Sequence, residues 1–371
     1  MSSVVECESR YGAERACDRC LARAWLLARV SGHLDQVRSE LDQVLALASD
    51  ELIAAVGGRR REELQRQLER FAAEPARSRA IEAGLELICR CDHAYPLRLA
   101  ELPGAPAVLH VAGGLNRFLA LAAADPVAIV GARRTSSYGV EVARSLGRGL
   151  ACAGVTVLSG MALGIDSAAH AGALSVDGPT IAVLPGPADT PYPRAHRGLY
   201  RQLVAAGAAV SELPPGVAVR RWMFPARNRI IAALAAMTVV IEAGVRSGAL
   251  LTAAFASDLG RPLGAVPGRV TAPLAVGPNG LLATGAHLVR GPQDVLDALF
   301  GEGARTASTD DRPKLDPEQR RLLGTIADGH DTAGALAAAG VASDKGLAAL
   351  ASLELAGYIR RGPGGRFAVV P

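Results

Sequence analysis

The stretch Val127-Ala128-Ile129-Val130-Gly131-Ala132-Arg133-Arg134-Thr135-Ser136-Ser137-Tyr138-Gly139 decides the fold. Four consecutive apolar residues, three of them β-branched, have the length and composition of a strand with no polar face. A glycine ends the run, and small polar residues then open a helical pattern. The unit recurs along the chain. Apolar runs at Val155 to Leu158, Thr180 to Leu184, Ala208 to Val210, Val239 to Ile241 and Leu263 to Val266 stop at or near a glycine or an acid, and most lead into a helical pattern. Strands buried on both faces and alternating with helices build a parallel, doubly wound α/β sheet. Ligands of such sheets bind outside the carboxyl ends of the strands, where the loops just named would lie.

Charge indicates what those loops could meet. The whole chain of 371 residues carries only +4. Between Val127 and Val270, however, stand fourteen Arg, no Lys and seven acidic residues, a net +7. A basic central domain points to a polyanionic partner, and guanidinium favours planar contacts with phosphates and bases. The longest uncharged runs, Gly149 to Ile165 and Ala272 to Val289, are broken by Gly, Ser, Thr or Pro and fall short of the roughly 20 apolar residues of a membrane span. No membrane partner is expected. The amino terminus has no basic start followed by an apolar run, so a cytoplasmic location is expected.

Around the sheet the chain divides into modules. Residues 1-90 are expected as a small helical module of the SAM or helix-hairpin-helix kind, with apolar spacing in Leu41, Val44 and Leu45 and then Leu52, Ile53 and Val56 before Gly57-Gly58. The segment from Leu87 through Tyr95-Pro96 to Val111 reads as an irregular connector. The Rossmann-like domain is expected over 91-300 and a linker over 301-313. Residues 314-371 offer Asp316-Pro317 as a helix start, two further helices, and a hairpin around Gly362-Pro363-Gly364-Gly365, the parts of a winged helix.

Catalytic motifs are absent: no GxxxxGK[ST], GxSxG or HExxH occurs. Asp166, His170 and Glu242 could act as acids or bases on the rim, but lone polar residues of this kind more often cap helices or hold loops. Anion-binding features are stronger. Gly131, Arg133, Arg134 and Ser136 could gather backbone N–H groups, a hydroxyl and two guanidiniums around a phosphate. Ser159-Gly160 and Ser247-Gly248 repeat the arrangement at two further loops. Arg194, Arg197 and Arg201 line one helical face. In Arg220-Arg221-Trp222-Met223-Phe224-Pro225-Ala226-Arg227-Asn228-Arg229, cations alternate with aromatics, as a single strand requires: charge for the backbone, a flat face for a base. The plain alternative places Trp222 and Phe224 in the core.

Six cysteines stand at positions 7, 17, 20, 89, 91 and 152. Cys17-x-x-Cys20 together with Cys89, Cys91 and His93 leaves a small zinc site open. Unlinked thiols are the commoner meaning of one CxxC, and no metal is expected.

Taken in order, VAIVGARRTSSYG, SGMALGIDSAAH, TIAVLPGPADTPYP, SELPPG, FPARNRIIAAL, EAGVRSGALLTAAFA, AVPG and GPNGLLATGAHLV closely resemble the motifs of the DprA/Smf family over about 160 residues, from Val127 to Val289. YPLRLAELPGAPAVLHVAG, Tyr95 to Gly113, looks like that family's lead-in. The resemblance implies an extended Rossmann fold, a homodimer, protection of incoming single-stranded DNA, and delivery of RecA onto that strand in natural transformation or general recombination. It implies no catalytic residue, cofactor or metal. By position, Arg133 matches the arginine of the family's G-[ST]-R loop and Arg194 the basic residue after its Tyr-Pro. Arg221 and Phe224 fall on a cation and a base-stacking aromatic, and Arg227, Asn228 and Arg229 fill its RNR. The chain departs from the pattern at Leu184 to Asp189, where prolines replace a glycine-rich turn, and in its CxxC. Lys345 is the only cation of the expected recognition helix, which argues against strong duplex reading. Two alternatives remain, an N-glycosidic nucleotide hydrolase and a duplex-binding regulator; the first lacks the PGGxGTxxE glutamate, since Ala243 to Thr252 supplies no carboxylate.

Overall fold

The structure is a computed structural model that describes residues 16–37, 40–306, 315–341 and 343–370. Cys7 and most of the expected linker lie outside the described residues. Two compact units divide the chain, Met1–Ala307 and Ser308–Pro371.

The first unit is built on a nine-stranded sheet. Its strands are β1 (Glu86–Cys89), β2 (Val108–Ala112), β3 (Val127–Val130), β4 (Val157–Ser159), β5 (Thr180–Val183), β6 (Ala208–Ser211), β7 (Met237–Val240), β8 (Leu263–Ala265) and β9 (His287–Leu288). Their order across the sheet is β1-β2-β6-β5-β4-β3-β7-β8-β9. From β6 to β9 all pairings are parallel, while β2 joins β6, and β1 joins β2, antiparallel.

β3 explains its own position. All four of its residues are buried, and they alternate between two cores. Val127 and Ile129 face a cluster with Ala143, Leu146, Leu150 and Val157, whereas Ala128 and Val130 face one with Leu109, Phe118 and Ile231. A strand apolar on both faces has to sit in the middle with helices above and below. From β3 the chain steps outward through β4, β5 and β6, then returns so that β7 pairs with the other edge of β3, Val127 opposite Met237. The connections leave in opposite directions at β3 and β7, which makes the carboxyl ends of these two strands the switch-point crevice of the sheet.

The connector expected from Leu87 to Val111 is corrected: nearly all of β1 and β2 fall within it, and the sheet begins five residues before the expected boundary at 91. Prolines at 96, 103 and 106 precede β2 rather than interrupt it, so its five buried residues remain free to pair along both edges.

The helices before β1 share a core with the Rossmann-like part. Leu26, Leu34, Leu52, Ile53 and Leu64 pack around Trp222 and Met223. Trp222 is wholly buried, its indole Nε1 donates to Ser31 Oγ at 2.9 Å and its backbone N–H donates to Asp35 Oδ1 at 2.8 Å. Trp222 is therefore the wedge that fixes the helical module, and it presents no face to a ligand.

The second unit contains helices Pro317–Ala327, Ala333–Ala338 and Ser343–Leu355, followed by the antiparallel pair β10 (Ile359–Arg361) and β11 (Phe367–Val369). Leu322, Ile326, Leu336, Leu353, Ile359 and Phe367 form its core. Asp316 caps the first helix by accepting from the Gln319 backbone N–H at 2.8 Å, as Asp-Pro at a helix start predicts. The Lys345 side chain lies outside the described residues. No helix among the described residues is long and apolar enough to cross a membrane.

Candidate nucleic-acid interface

A cleft of about 190 Å³ opens at the switch point, walled by Gly131 and Arg133 after β3, Ser247 and Gly248 after β7, and Phe224 and Asn228 of helix Met223–Leu234. Gly131 is required by close approach: a Cβ there would meet Ile165 Cγ1 at 2.5 Å and the Glu242 carbonyl at 2.9 Å. The Ala132 N–H donates to that same carbonyl at 2.6 Å, which ties the loop after β3 to the end of β7.

Glu242 shapes the loop further. Its buried carboxylate accepts from the Ser136 N–H at 2.9 Å, from Ser136 Oγ at 2.6 Å, and from Thr135 Oγ1. Ser136 in turn caps helix Ser137–Cys152 by accepting from the Gly139 N–H at 3.1 Å. The Ser136 hydroxyl and N–H are thus committed inside the loop, and the expected direct phosphate contact of Ser136 gives way to a positioning task. What the loop offers outward is the pair of exposed guanidiniums, Arg133 and Arg134.

Arg133 stands over the Phe224 ring, its Cζ 4.6 Å from the centroid. Tyr192 meets the same ring edge-on at 5.4 Å. His196 Nδ1 lies 3.0 Å from the Met161 carbonyl, which holds the segment after β5 against the loop after β4. Exposed Arg194 and Arg197 belong to this segment, exposed Arg221 stands just before the helix that carries Phe224, and Arg246 is exposed beside Ser247. Ser247 caps helix Gly248–Asp258, accepting from the Ala249 N–H at 3.3 Å. The rim therefore combines a half-buried aromatic with arginines from four loops. Tyr192 and Arg246 were not among the expected residues; their signal was adjacency, two residues before Arg194 and one before Ser247.

Four expected contacts are buried instead, although Arg227 also borders the cleft. Ser159 is fully buried and donates from Oγ to the Ile129 carbonyl at 2.6 Å. Gly160 makes room for Arg227, whose Nη1 would stand 1.2 Å from a Cβ at that position. Arg227 itself donates to the Val183 carbonyl at 3.0 Å and stands 3.9 Å from buried Asp166. Burial lowers Arg227 to about 10 while the Asp166 carboxylate opposes the shift. Burial likewise pushes Asp166 up, against the pull of Arg227 and the N–H groups of Ala162 and Gly160. Arg229 is 2% exposed, pairs with Glu212 at 2.5 Å, and donates to the Gly104 carbonyl at 2.6 Å. A guanidinium so enclosed cannot reach a strand outside. Asn228 is intermediate in role: it lines the cleft while donating from Nδ2 to the Gly248 carbonyl at 3.1 Å.

His170, a candidate acid or base, is also interior. Its Nδ1 lies 2.7 Å from Thr180 Oγ1, and burial, aided by the charges of Arg227 and His196, lowers its pKa to about 3. It is a neutral core histidine, away from the rim.

Comparison with known proteins identifies the family. The model of a family described as DNA recombination-mediator protein A matches residues 86–300. Protein Smf of Escherichia coli is 36% identical over 317 residues, covering 81% of this chain and 83% of its own. A Mycobacterium tuberculosis protein named as DNA processing protein DprA is 46% identical over 186 residues, half of this chain; the match spans 48% of that relative's length. The X-ray structure of DNA processing protein A from Streptococcus pneumoniae superposes with a TM-score of 0.63 at 30% identity, covering 77% of this chain and 99% of that one. The family match alone takes in more than half of the sequence, and the chain belongs to the DprA/Smf family of DNA recombination mediators.

Proposed function

We propose that this chain binds single-stranded DNA across the switch-point rim and acts as a non-catalytic mediator that delivers RecA onto the bound strand. The carrying observation is the exposed Arg133 guanidinium 4.6 Å over the Phe224 ring, both of which line the switch-point cleft, with exposed Arg134, Arg194, Arg221 and Arg246 on the loops of the same rim. A half-buried aromatic beneath a cation gives a base a flat face and its phosphate a charge in the same place. The three hydrogen bonds that Glu242 accepts from the Arg133 loop support a positioning role for that carboxylate rather than a chemical one. The reading includes a homodimer that works in the cytoplasm, during DNA uptake or general recombination, and a carboxyl-terminal unit of winged-helix type.

Fluorescence-anisotropy titration of oligo-dT at several salt concentrations tests it. Binding should be tolerant of sequence, fall with salt, and weaken about tenfold or more in Arg133→Ala, which costs one phosphate contact and one side of the stack. Folded protein that shows no binding at low salt would sink the proposal. Base release from AMP that is abolished by Glu242→Ala would replace it with an enzyme.

A further inference from the structure

Far from the rim, four cysteines meet. Cys17 and Cys20 sit at the start of helix Asp18–Arg29, and Cys89 and Cys91 at the end of β1. All four Sγ atoms lie within 4.8 Å of one another. His93, the fifth residue of the sequence pattern, stays out of the cluster: its side chain is 90% exposed beside Asp92.

We propose that Cys17, Cys20, Cys89 and Cys91 form a structural zinc site that staples the helical module to the edge strand of the sheet. A zinc tetrahedron with Zn–S bonds of about 2.3 Å has S···S edges of about 3.8 Å. Cys20 and Cys91 stand 3.7 Å apart, the edge of such a tetrahedron and far beyond a disulfide bond. Among the described residues none of the thiols enters a disulfide.

The surroundings are those of a thiolate site. The Cys17 N–H donates to Cys89 Sγ at 3.5 Å, and Arg19 Nη2 reaches Cys91 Sγ at 3.8 Å. Such donors stabilise the negative charge that metal ligation leaves on sulfur. Zinc displaces one proton from each of four thiols, so the filled site carries a net −2; the Arg19 guanidinium and the amino-terminal end of the helix offset part of it. Both ligand pairs are held in place by other residues. Arg77 donates to the Ala16 carbonyl at 3.1 Å and pairs with Asp18, fixing the turn that carries Cys17. The Asp92 N–H donates to the Cys89 carbonyl at 2.9 Å, closing the turn that brings Cys91 alongside Cys89. Cys20 and Cys89 are buried among Leu21, Ala24, Ala73 and Val108, and this small apolar shell keeps water away from the sulfurs.

Four sulfurs at this spacing choose a single soft or borderline ion over an iron–sulfur cluster, which would interpose its own atoms between the thiolates. The test is metal analysis of the full chain purified under reducing conditions without added metal. About one equivalent of zinc per chain is expected, falling to about a tenth or less in the Cys89→Ser/Cys91→Ser variant and unchanged in Cys152→Ser, whose thiol lies outside the cluster. Because the double variant can fail to fold, the wild-type chain is also stripped and reloaded with cobalt, which should give the intense visible bands of a tetrahedral tetrathiolate. Reduced, folded wild type with neither zinc nor cobalt bands overturns the proposal, as does stoichiometric iron or a Cys20–Cys91 disulfide found by mass spectrometry in anaerobically prepared protein.

Discussion

Arg221 and Arg229 bracket one aromatic-rich segment, yet they live in different dielectrics. Arg221, like Arg133 and Arg134, is exposed with its guanidinium in water. Arg227 and Arg229 are buried, one near Asp166 and one against Glu212. Burying a guanidinium costs several kcal/mol unless an acid and further acceptors surround it, so two of the seven acids in the basic segment are spent on it. The net +7 therefore combines a working surface charge with an internal scaffold. The exposed set can be tested by binding and the enclosed Arg229 by stability, and each should be silent in the other measurement.

Arg229→Ala is the most damaging break in that contrast. It leaves the Glu212 carboxylate buried without its partner, and urea denaturation should register a loss of about 3–5 kcal/mol. Arg229→Met with Glu212→Leu removes both charges and should recover much of it. If Arg229→Ala unfolds no more easily than Arg133→Ala, the buried pair is not the scaffold described above.

The buried set also predicts an acid response. His170 is held neutral down to about 3, against an ordinary value of 6.5, by burial first and the Arg227 charge next. His110 is lowered to about 4 by burial. Below pH 6.5 the unfolded chain takes up protons that the folded chain refuses. Stability should thus fall as pH drops from 6.5, by about 1.4 kcal/mol per pH unit for each histidine until its folded value is reached. His170→Gln removes one contribution, so the stability advantage of wild type over the variant should shrink by about 2 kcal/mol between pH 6.5 and 4.5. Denaturation midpoints at a few pH values measure it; a constant difference would mean that His170 is charged or hydrated in the fold.

How legible these parts were in the sequence follows from how local their causes are. β3 and the five parallel strands expected with it announce themselves because burial on both faces leaves an unbroken apolar run. β1 and β2 do not, since short strands set among prolines look the same as a connector until β6 supplies the partner edge. The rim residues Arg133, Arg194, Arg221 and Phe224 were visible as motif positions. The burial of Arg227 and Arg229 was not: a buried RNR and a solvated one are spelled alike, and the acids that decide between them lie on other loops. The cysteine cluster was half-legible for the same reason, its two pairs being some 72 residues apart in the chain.

The smallest expected effect separates two kinds of contact within the exposed set. Phe224→Ala should remove the flat face under Arg133 and weaken oligo-dT binding by about 1–3 kcal/mol at every salt concentration, because stacking releases no counterions. Arg221→Ala should weaken binding less at high salt than at low, and lower the slope of log K against log salt by about 0.7, the share of one phosphate on a single strand. Parallel lines for Phe224→Ala and converging lines for Arg221→Ala would divide the rim into a base platform and a backbone clamp. If Phe224→Ala changes the slope instead, its ring serves only to hold Arg133 in place, and the aromatic belongs with the scaffold rather than with the surface that meets DNA.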